Sequence, residues 1–400
     1  MRPRKLIDIT FTDLFFGLCK GVSGLKKSTP CEIDLDGILN PLGINEKPES
    51  LICYSVRTGF DLLLQSLRLP PGSEVLMTAA TIPDMIEIVR RHQLVPRSID
   101  MKSDDFQICP ESFEQAVTPK TKLVVVAHLF GSRANLDWIC NHPLRKQFLI
   151  VEDCAQLFIR DYFERPTATD VQLFSFGPIK TATALGGGVI CCKDKVVNQD
   201  LRRLNNSYPQ QSELDYLQRI MKYFCLKSLA FRPLFSVFYA LPGDPDKRLG
   251  SMARNFGQQE LLDKIRKRPC RALVNMVRRR IRLYPSKRIE DRRRLGGSLA
   301  RQIRQPKATP GVNCPDHSYW LFPVLTKDGD QLVVELRHAG FDATRRHSMT
   351  LLESGEDHKP ADLKILFEQM VLVPFGPELG ERGVRKLANV ISGALQKPAV

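Results

Sequence analysis

The fold of this 400-residue chain is decided by two stretches of sequence, QFLIVEDCAQ (147–156) and VQLFSFGPIKTATALGGGVI (171–190). Each begins as a short apolar run of strand-forming residues, and each run ends in polar side chains. A similar apolar run lies at 121–131, and helical patterns lie at 61–69 and 85–94. Strands that are apolar on both faces and alternate with helices predict a mainly parallel α/β sheet covered by helices. Ligands of such sheets bind beyond the carboxyl ends of the strands, so the chemistry is expected there.

Asp153 lies at the end of an otherwise apolar strand. A carboxylate in this position is unstable unless a cation or hydrogen bonds compensate for its desolvation. A protonated pyridine nitrogen would provide both. The alternative explanation is an Asp that caps the following helix. The residues of the next strand favour the pyridine nitrogen as the partner of Asp153.

The second stretch places Ser175 at the end of a strand and Lys180 five residues later, after a turn through Gly177 and Pro178. This spacing allows Ser175 to face a phosphate while Lys180 reaches the other side of the same small ligand. A Lys that attacks a carbonyl needs a lowered pKa, which burial and nearby positive charge provide. A single Lys after a strand is usually a surface residue, but its combination with Asp153 indicates a pyridoxal phosphate site in which both residues are catalytic.

A third segment, SVRTGFDLLLQSL (55–67), is a turn that leads into a helix. Free backbone amides at a helix N-terminus bind anions, and here they belong to Val56, Arg57 and Thr58. Most helix N-termini bind nothing, so the segment alone is a weak signal. Together with the two catalytic candidates it predicts the phosphate end of the cofactor site.

From about Leu51 to its last helix, the chain resembles the DegT/StrS family of fold-type-I pyridoxal-phosphate-dependent aminotransferases, best known as sugar aminotransferases. AHLFG followed by Asp137 is similar to the family's HLYG…D segment. VEDCAQ resembles its VEDxAQ/H motif, and FSFGPIK resembles its FSFxxxK motif. The order of the motifs along the chain is also that of the family.

The resemblance implies roles for four matched residues: Asp153 pairs with the pyridine nitrogen, Gln156 lies near the ring oxygen, Ser175 contacts phosphate, and Lys180 forms the Schiff base. It implies a fold-type-I transferase with a mainly parallel seven-stranded sheet, a smaller C-terminal α/β domain and a homodimer with sites at the subunit interface. The implied reaction moves an amino group from an amino acid, expected to be glutamate, to a keto acceptor such as a nucleotide-sugar or lipid-linked substrate.

The chain departs from the family pattern at three places. The usual S-G-T turn reads S-V-R at 55–57, so phosphate binding is expected to depend on Arg57. The aromatic residue that usually stacks on the cofactor ring is replaced by Ile82, which can cover the ring but cannot stack. An apolar segment at 223–243 and an Arg-rich segment at 263–304 are not typical of sugar enzymes and leave the acceptor open.

We expect four parts: an N-terminal arm with a docking helix (1–50), a large cofactor-binding domain (51–200), a helical insertion that is apolar and Arg-rich (201–310), and a small C-terminal domain (311–400). The formal net charge of +15 favours an anionic substrate, nucleic acid or an anionic membrane surface as a partner. Nucleic-acid binding is not expected, because the Arg runs lack interleaved aromatic residues and a known module. The insertion suits either an anionic membrane surface or packing on the protein itself.

The N-terminal residues Phe11, Leu14, Phe15 and Leu18 lie on one face of a predicted helix. This pattern predicts docking on the protein body, with a membrane-surface helix as the alternative. No apolar stretch is long enough to cross a bilayer, and the eleven scattered cysteines suit reduced thiols in a cytoplasmic protein.

Three further residues are candidates for substrate contact. His128 is expected at a strand end near the cofactor, and His317 and Tyr319 open the small domain beside Trp320. A core role is the alternative for the aromatic residues. No metal site is expected, because no second ligand lies at metal spacing from His128. A catalytically silent membrane-associated or regulatory relative and a pyridoxal-phosphate-dependent lyase remain alternatives, since a fold does not fix a reaction.

Overall fold

The computed structural model describes residues 7–25, 49–158, 167–229, 260–303, 305–345, 347–353 and 360–396. The described strands are β1 (Glu49–Cys53), β2 (Glu74–Thr78), β3 (Ala80–Thr81), β4 (Val95–Ile99), β5 (Thr121–Ala127), β6 (Leu149–Asp153), β7 (Val171–Ser175), β8 (Gly188–Cys192), β9 (Phe322–Leu325), β10 (Thr350–Leu351) and β11 (Met370–Val373). The described α-helices are α1 (Phe11–Leu25), α2 (Val56–Leu67), α3 (Pro83–Arg91), α4 (Pro110–Ala116), α5 (Asp137–Cys140), α6 (Lys195–Ser207), α7 (Glu213–Leu229), α8 (Leu261–Ile265), α9 (Arg271–Leu283), α10 (Ser286–Ile303), α11 (Gly329–His338), α12 (Ala361–Gln369) and α13 (Gly380–Gln396).

The large sheet has seven strands in the order β1-β8-β7-β6-β5-β2-β4. Strands β4, β2, β5, β6 and β7 run parallel to their neighbours, whereas β8 is antiparallel to both β7 and β1. This topology confirms the predicted α/β class with a mainly parallel seven-stranded sheet. It also places the carboxyl ends of β5, β6 and β7 side by side, which brings together residues that are distant in the sequence.

Helices cover both faces of this sheet, which explains why its central strands carry apolar residues at consecutive positions. Val75 and Leu123 belong to one buried cluster. Their chain neighbours Leu76 and Val124 belong to a second cluster on the other face. Because successive side chains of a strand point to opposite faces, a run of consecutive apolar residues fills both clusters.

The C-terminal part forms its own small α/β unit, in which β9 pairs antiparallel with β11. A third buried cluster unites residues of α10, α11 and α13 with these two strands. The short strand β10 crosses to the large domain and pairs with β3 through Thr350 and Thr81. This contact brings the small domain next to the edge of the site described below.

The N-terminal helix α1 packs on α7 and α9 through its small residues. Asp13, Leu14 and Gly17 are buried, but 48% of Phe11 and 66% of Phe15 are exposed. The face predicted from the sequence is therefore divided between the protein interior and the surface. Asp13 anchors the helix by an ion pair with Arg279 at 2.8 Å and another with the buried Arg280.

The Arg-rich segment forms α9 and α10, and several of its arginines have partners within the protein. Arg292 is buried and donates to the Tyr319 carbonyl at 3.2 Å. Arg293 pairs with Asp316, and Arg294 pairs with Glu381. Of the apolar segment at 223–243, residues 230–243 lie outside the described residues. Among the helices of the described ranges, none is both long and apolar enough to cross a membrane.

Candidate functional site

A cleft of about 1210 Å³ lies at the carboxyl ends of the parallel strands. Its wall includes most of the residues expected to bind the cofactor: Val56, Arg57, Ile82, Asp153, Gln156, Ser175 and Lys180. They come from the start of α2, the start of α3, the end of β6 and the end of β7 with its following turn. The fold therefore assembles in one place residues that are separated by up to about 125 positions in the chain.

Lys180 lies in a tight turn after β7, because its backbone amide donates to the Gly177 carbonyl at 3.0 Å. Burial lowers the pKa of Lys180 to about 8; the charge of Asp153 opposes this shift, and Arg57 adds to it. The Nζ atom lies 4.5 Å from the ring centre of Trp320, whose Nε1 donates to the Ile179 carbonyl at 3.1 Å. Lys180 is thus a positioned amine with a substantial neutral fraction near neutral pH.

Asp153 ends β6, and its Oδ1 accepts the Ala155 amide at 2.9 Å. Burial raises the pKa of this carboxyl, and the Ala155 amide, Lys180 and His128 lower it by smaller amounts. No Lys, Arg or His of the described ranges forms an ion pair with Asp153. The side chain faces the cleft, so a cation bound there would stabilise its ionised form.

The N-terminus of α2 forms the anion-binding corner of the cleft. Ser55 caps the helix by accepting the Thr58 amide at 3.1 Å. The Val56 and Arg57 amides have no acceptor in the part of the chain that is described. A β-carbon at Gly188 would come within 2.5 Å of the Val56 nitrogen. Only glycine allows β8 to approach the helix start this closely.

Arg57 and Thr58 occupy different environments at this corner. Arg57 lines the cleft and pairs with Asp84. Thr58 is fully buried, and its hydroxyl donates to the Ile265 carbonyl at 2.7 Å. It is the one predicted cofactor residue that does not line the cleft, because its hydroxyl is used to fix the segment before α9.

Two residues form the wall against which a planar ring would lie. Ile82 precedes Pro83, the first residue of α3, and follows the short strand β3. Gln156 is fixed in orientation because its Oε1 accepts the Phe130 amide at 2.8 Å. Both line the cleft. An aliphatic wall at Ile82 supplies van der Waals contact without the electrostatics of aromatic stacking.

The predicted substrate residue His128 is fully buried and is not part of the cleft wall. Its Nδ1 accepts the Ala134 amide at 3.2 Å, which leaves Nε2 to donate to Glu152 at 3.0 Å. The potential ligand atoms of His128, Glu152 and Cys154 lie within 4.8 Å of one another, a proximity that the sequence spacing did not indicate. Thr167 also donates to Glu152, at 2.7 Å, so the group is a hydrogen-bond network behind β6.

His317 and Tyr319 also lie outside the cleft wall. Their rings stack with centroids 4.1 Å apart, and the Tyr319 amide donates to His317 Nδ1 at 2.9 Å. Burial lowers the pKa of His317 to about 3, so it is neutral at physiological pH. Trp320, the next residue, is the one that reaches Lys180.

Sequence reasoning missed one wall of the cleft, which is a face of α7. Its lining residues are Asp215, Gln218, Arg219, Lys222 and Tyr223. These positions recur at the spacing of one helical face, while Tyr216, Leu217 and Ile220 between them are buried. Helical periodicity in LDYLQRIMKY (214–223) was the signal that could have revealed this polar face.

Comparison with known proteins agrees with the geometry. Residues 47–221 match the model of the DegT/DnrJ/EryC1/StrS aminotransferase family, which confirms the resemblance seen in the motifs. The aminotransferase TlmJ from Streptoalloteichus hindustanus is 16% identical, with a TM-score of 0.69 over 98% of this chain and 97% of that chain.

Two further solved structures have a similar fold. A DegT DnrJ EryC1 StrS aminotransferase from Brucella abortus is 18% identical, with a TM-score of 0.66 over 96% of each chain. NtdA from Bacillus subtilis, solved with bound cofactor PMP, is 17% identical, with a TM-score of 0.67 over 98% of this chain and 86% of that chain. At these identities the likeness establishes the fold.

Proposed function

Residues 47–221 match the model of the DegT/DnrJ/EryC1/StrS aminotransferase family, and from this premise we propose that the protein is a pyridoxal-phosphate-dependent aminotransferase of that family. The observation that carries the proposal is the shared cleft of Lys180 and Asp153. One residue supplies an amine with a pKa of about 8, and the other supplies a carboxyl whose pKa is raised by burial. The two free amides of α2 lie in the same cleft.

The residues of the cleft fit this cofactor on chemical grounds. The free amides of Val56 and Arg57 suit its phosphate, because helix N-termini bind anions. Asp153 suits a protonated pyridine nitrogen, which would compensate for the desolvation of the carboxylate. Lys180 suits the aldehyde, because a lowered pKa makes its amine nucleophilic. Ser175 and Gln156 provide polar groups on the same wall.

Each residue then has a defined task in the reaction. When bound, pyridoxal phosphate withdraws electrons from the carbon that carries the migrating amino group. Asp153 accepts a hydrogen bond at its carboxylate and thereby keeps the pyridine nitrogen protonated. In the donor half-reaction, Lys180 Nζ removes the proton from the α-carbon of the amino donor. In the acceptor half-reaction, it gives a proton to the carbon that receives the amino group. Its pKa near neutrality suits both directions of this transfer.

Glutamate is the proposed donor, and the acceptor is a keto group on a nucleotide-sugar or lipid-linked compound. The cations of the cleft support an anionic acceptor. The working unit is a homodimer in the cytoplasm, in keeping with the family.

Contact with an anionic membrane surface is part of the same proposal, and α1 supports it. Phe11, Phe15, Val22 and Leu25 leave an apolar stripe on its outer face, with 48% to 66% of each side chain exposed. Lys227 lies 5.4 Å from the ring centre of Phe11. An apolar stripe with basic neighbours is the arrangement of helices that lie in the membrane interface. The arginines of α10 that form ion pairs within the protein contribute less to membrane contact than the sequence indicated.

The test is a spectrum followed by a donor screen. The purified protein, loaded with pyridoxal phosphate, is expected to absorb in the near-ultraviolet to visible range. An amino donor should shift this absorbance, and a keto acid should restore it. Lys180→Ala should retain weak cofactor binding and lose both conversions. A spectrum that no amino acid changes would refute the aminotransferase, and release of a fragment without amino transfer would indicate a lyase.

A further inference from the structure

The segment that leads into β9 is anchored on the large domain. The Ser318 amide donates to the Gly131 carbonyl at 2.7 Å, and the Leu321 amide donates to the Phe130 carbonyl at 3.3 Å. Gly131 has a φ of 94°, and a β-carbon there would come within 2.8 Å of the Trp320 nitrogen, so only glycine permits this approach. The backbone at Trp320 is therefore fixed against the loop that follows β5, although the residue belongs to the C-terminal part of the chain.

Tyr319 has a strained backbone that its surroundings hold in place. Its φ of 49° lies in the left-handed region, which an aromatic residue rarely adopts. Arg292 donates to the Tyr319 carbonyl at 3.2 Å, and the Tyr319 amide donates to His317 Nδ1 at 2.9 Å. Strain of this kind persists only where surrounding contacts maintain it, and it clusters at functional sites. The strained residue immediately precedes the one that reaches the proposed catalytic amine.

Trp320 makes two contacts with the turn that carries Lys180. Its indole Nε1 donates to the Ile179 carbonyl at 3.1 Å, which fixes the peptide bond between Ile179 and Lys180. Its ring centre lies 4.5 Å from Lys180 Nζ, within the range of a cation–π interaction. Only 5% of Trp320 is exposed, so both contacts are largely shielded from water. One side chain thus holds both the backbone and the amine of Lys180.

The charged groups around Lys180 leave a role for this ring. Burial disfavours the ammonium form, the charge of Asp153 opposes this effect, and the charge of Arg57 adds to it. The other ionisable groups of the cleft wall are Tyr54, Asp84, Asp215, Arg219, Lys222, Tyr223 and Lys267. A carboxylate paired with Lys180 would favour the ammonium strongly, whereas an aromatic face favours it by much less. The ring therefore suits an amine that must both take up and release a proton.

We propose that Trp320 is a positioning residue that holds the Lys180 amine beside the cofactor whenever the two are not bonded to each other. The assignment rests on the proposed function, because it takes Lys180 as the group that transfers the proton. Lys180 becomes an ammonium when it removes the proton from the α-carbon of the donor. Nζ keeps this proton until it delivers it, and the ring face stabilises the charge during this time. The indole N–H restricts the movement of the turn.

The experiment titrates Lys180 by NMR in the full chain without cofactor, produced with lysine that carries 13C at Cε. The signal that is missing from Lys180→Ala is assigned to Lys180. Trp320→Leu removes the aromatic face and is expected to lower the pKa of Lys180 by about one pH unit. Trp320→Phe keeps an aromatic face and should retain most of the wild-type pKa. Trp138→Leu is the matched control, because this tryptophan packs on Phe113 and does not line the cleft.

The protein loaded with pyridoxal phosphate gives a second measurement. Trp320→Leu should slow the spectral conversion by a saturating amino donor about tenfold. The donor concentration that gives half of the maximal rate should stay nearly the same, because Trp320 acts on the amine and not on donor binding. Trp320→Phe should retain most of the wild-type rate. Circular dichroism establishes that each variant is folded.

The wild type also provides a test that needs no variant, because the ring current of Trp320 should shift the hydrogens on Lys180 Cε upfield. Absence of this shift would overturn the proposal, and so would an unchanged Lys180 titration in Trp320→Leu. Equal effects of Trp320→Leu and Trp320→Phe would also overturn it, since the ring face would then have no part. If the titrations differ as expected but no amino acid changes the spectrum of the loaded protein, the proposed function is wrong and the role of Trp320 at the Lys180 amine stands.

Discussion

The lowered pKa of Lys180 predicts how fast the cofactor-free protein captures pyridoxal phosphate at each pH. Only the neutral amine attacks an aldehyde. With a pKa of about 8, roughly one quarter of Lys180 is neutral at about pH 7.5. With the ordinary value of 10.5, the neutral fraction would be roughly one in a thousand. The structure thus provides about a 200-fold gain in reactive amine.

The assay is the rate of appearance of the bound chromophore after mixing, followed from about pH 6.5 to about pH 10. The rate should rise with pH, reach half of its maximum near pH 8 and level off above about pH 9. Arg57→Gln should move this midpoint upward, because a repelling cation is lost, and Asp153→Asn should move it downward. Arg203→Gln, an exposed arginine of α6, is the control that should leave it unchanged. A midpoint near 10.5, or an unchanged curve in both site variants, would refute the argument.

Three further predictions follow from the same contacts. Asp153→Asn should remain folded by circular dichroism but lose most transamination, because an amide cannot keep the ring nitrogen protonated; near-normal turnover would reduce Asp153 to a helix cap. Asp13→Asn should destabilise the protein by about 3 kcal/mol in denaturant unfolding, because it leaves the buried Arg280 unpaired, whereas Asp330→Asn on the surface should cost little. Burial would raise the pKa of Asp13, but Arg280 and hydrogen bonds lower it below its usual value, so this stability should be present above about pH 4 and lost as pH falls through the folded pKa. Phe15→Ser should weaken co-sedimentation with anionic vesicles, and salt should weaken it further; equal binding of both proteins to neutral vesicles, or none at all, would return α1 to a purely structural role.

The strands of the large sheet were predictable because their signals are local. Residues 149–151 are apolar at consecutive positions, and residues 171–175 are apolar at three of five positions, which indicates strands covered on both faces. Their terminal polar residues, Ser175 and Asp153, indicate the edge where a ligand binds. The order of the strands was less accessible, since nothing in the local sequence states that β8 runs antiparallel to β7. The family resemblance implied a mainly parallel seven-stranded sheet, but neither the order of the strands nor the direction of β8.

The parts that sequence reasoning missed depend on contacts between distant segments. Thr58 was expected to face phosphate, but its hydroxyl donates to Ile265, which lies 207 positions away. His128 was expected to face substrate, but both nitrogens of its ring form hydrogen bonds within the protein, to Glu152 and to the Ala134 amide. The local sequence indicates that a buried polar side chain needs a hydrogen-bond partner. It does not indicate which distant residue the fold provides as that partner.

The role of α7 illustrates a different limit. The sequence predicts that its residues belong to a helical insertion, which lies either on an anionic membrane surface or on the protein itself. The structure shows that Gly17 and Gly21 of α1 admit Leu217 and Ile220, so that the polar face of α7 turns toward the cleft. Only the packing of two helices that are about 200 residues apart determines which face is hidden.

The central claim is that Lys180 carries pyridoxal phosphate, and reductive trapping tests it most directly. The loaded protein is treated with borohydride, digested and mapped by mass spectrometry. We predict that the visible absorbance disappears and that one peptide, containing Lys180 within FSFGPIK, carries the cofactor. A label on Lys222, Lys267 or any other lysine, or no label at all, would contradict the account.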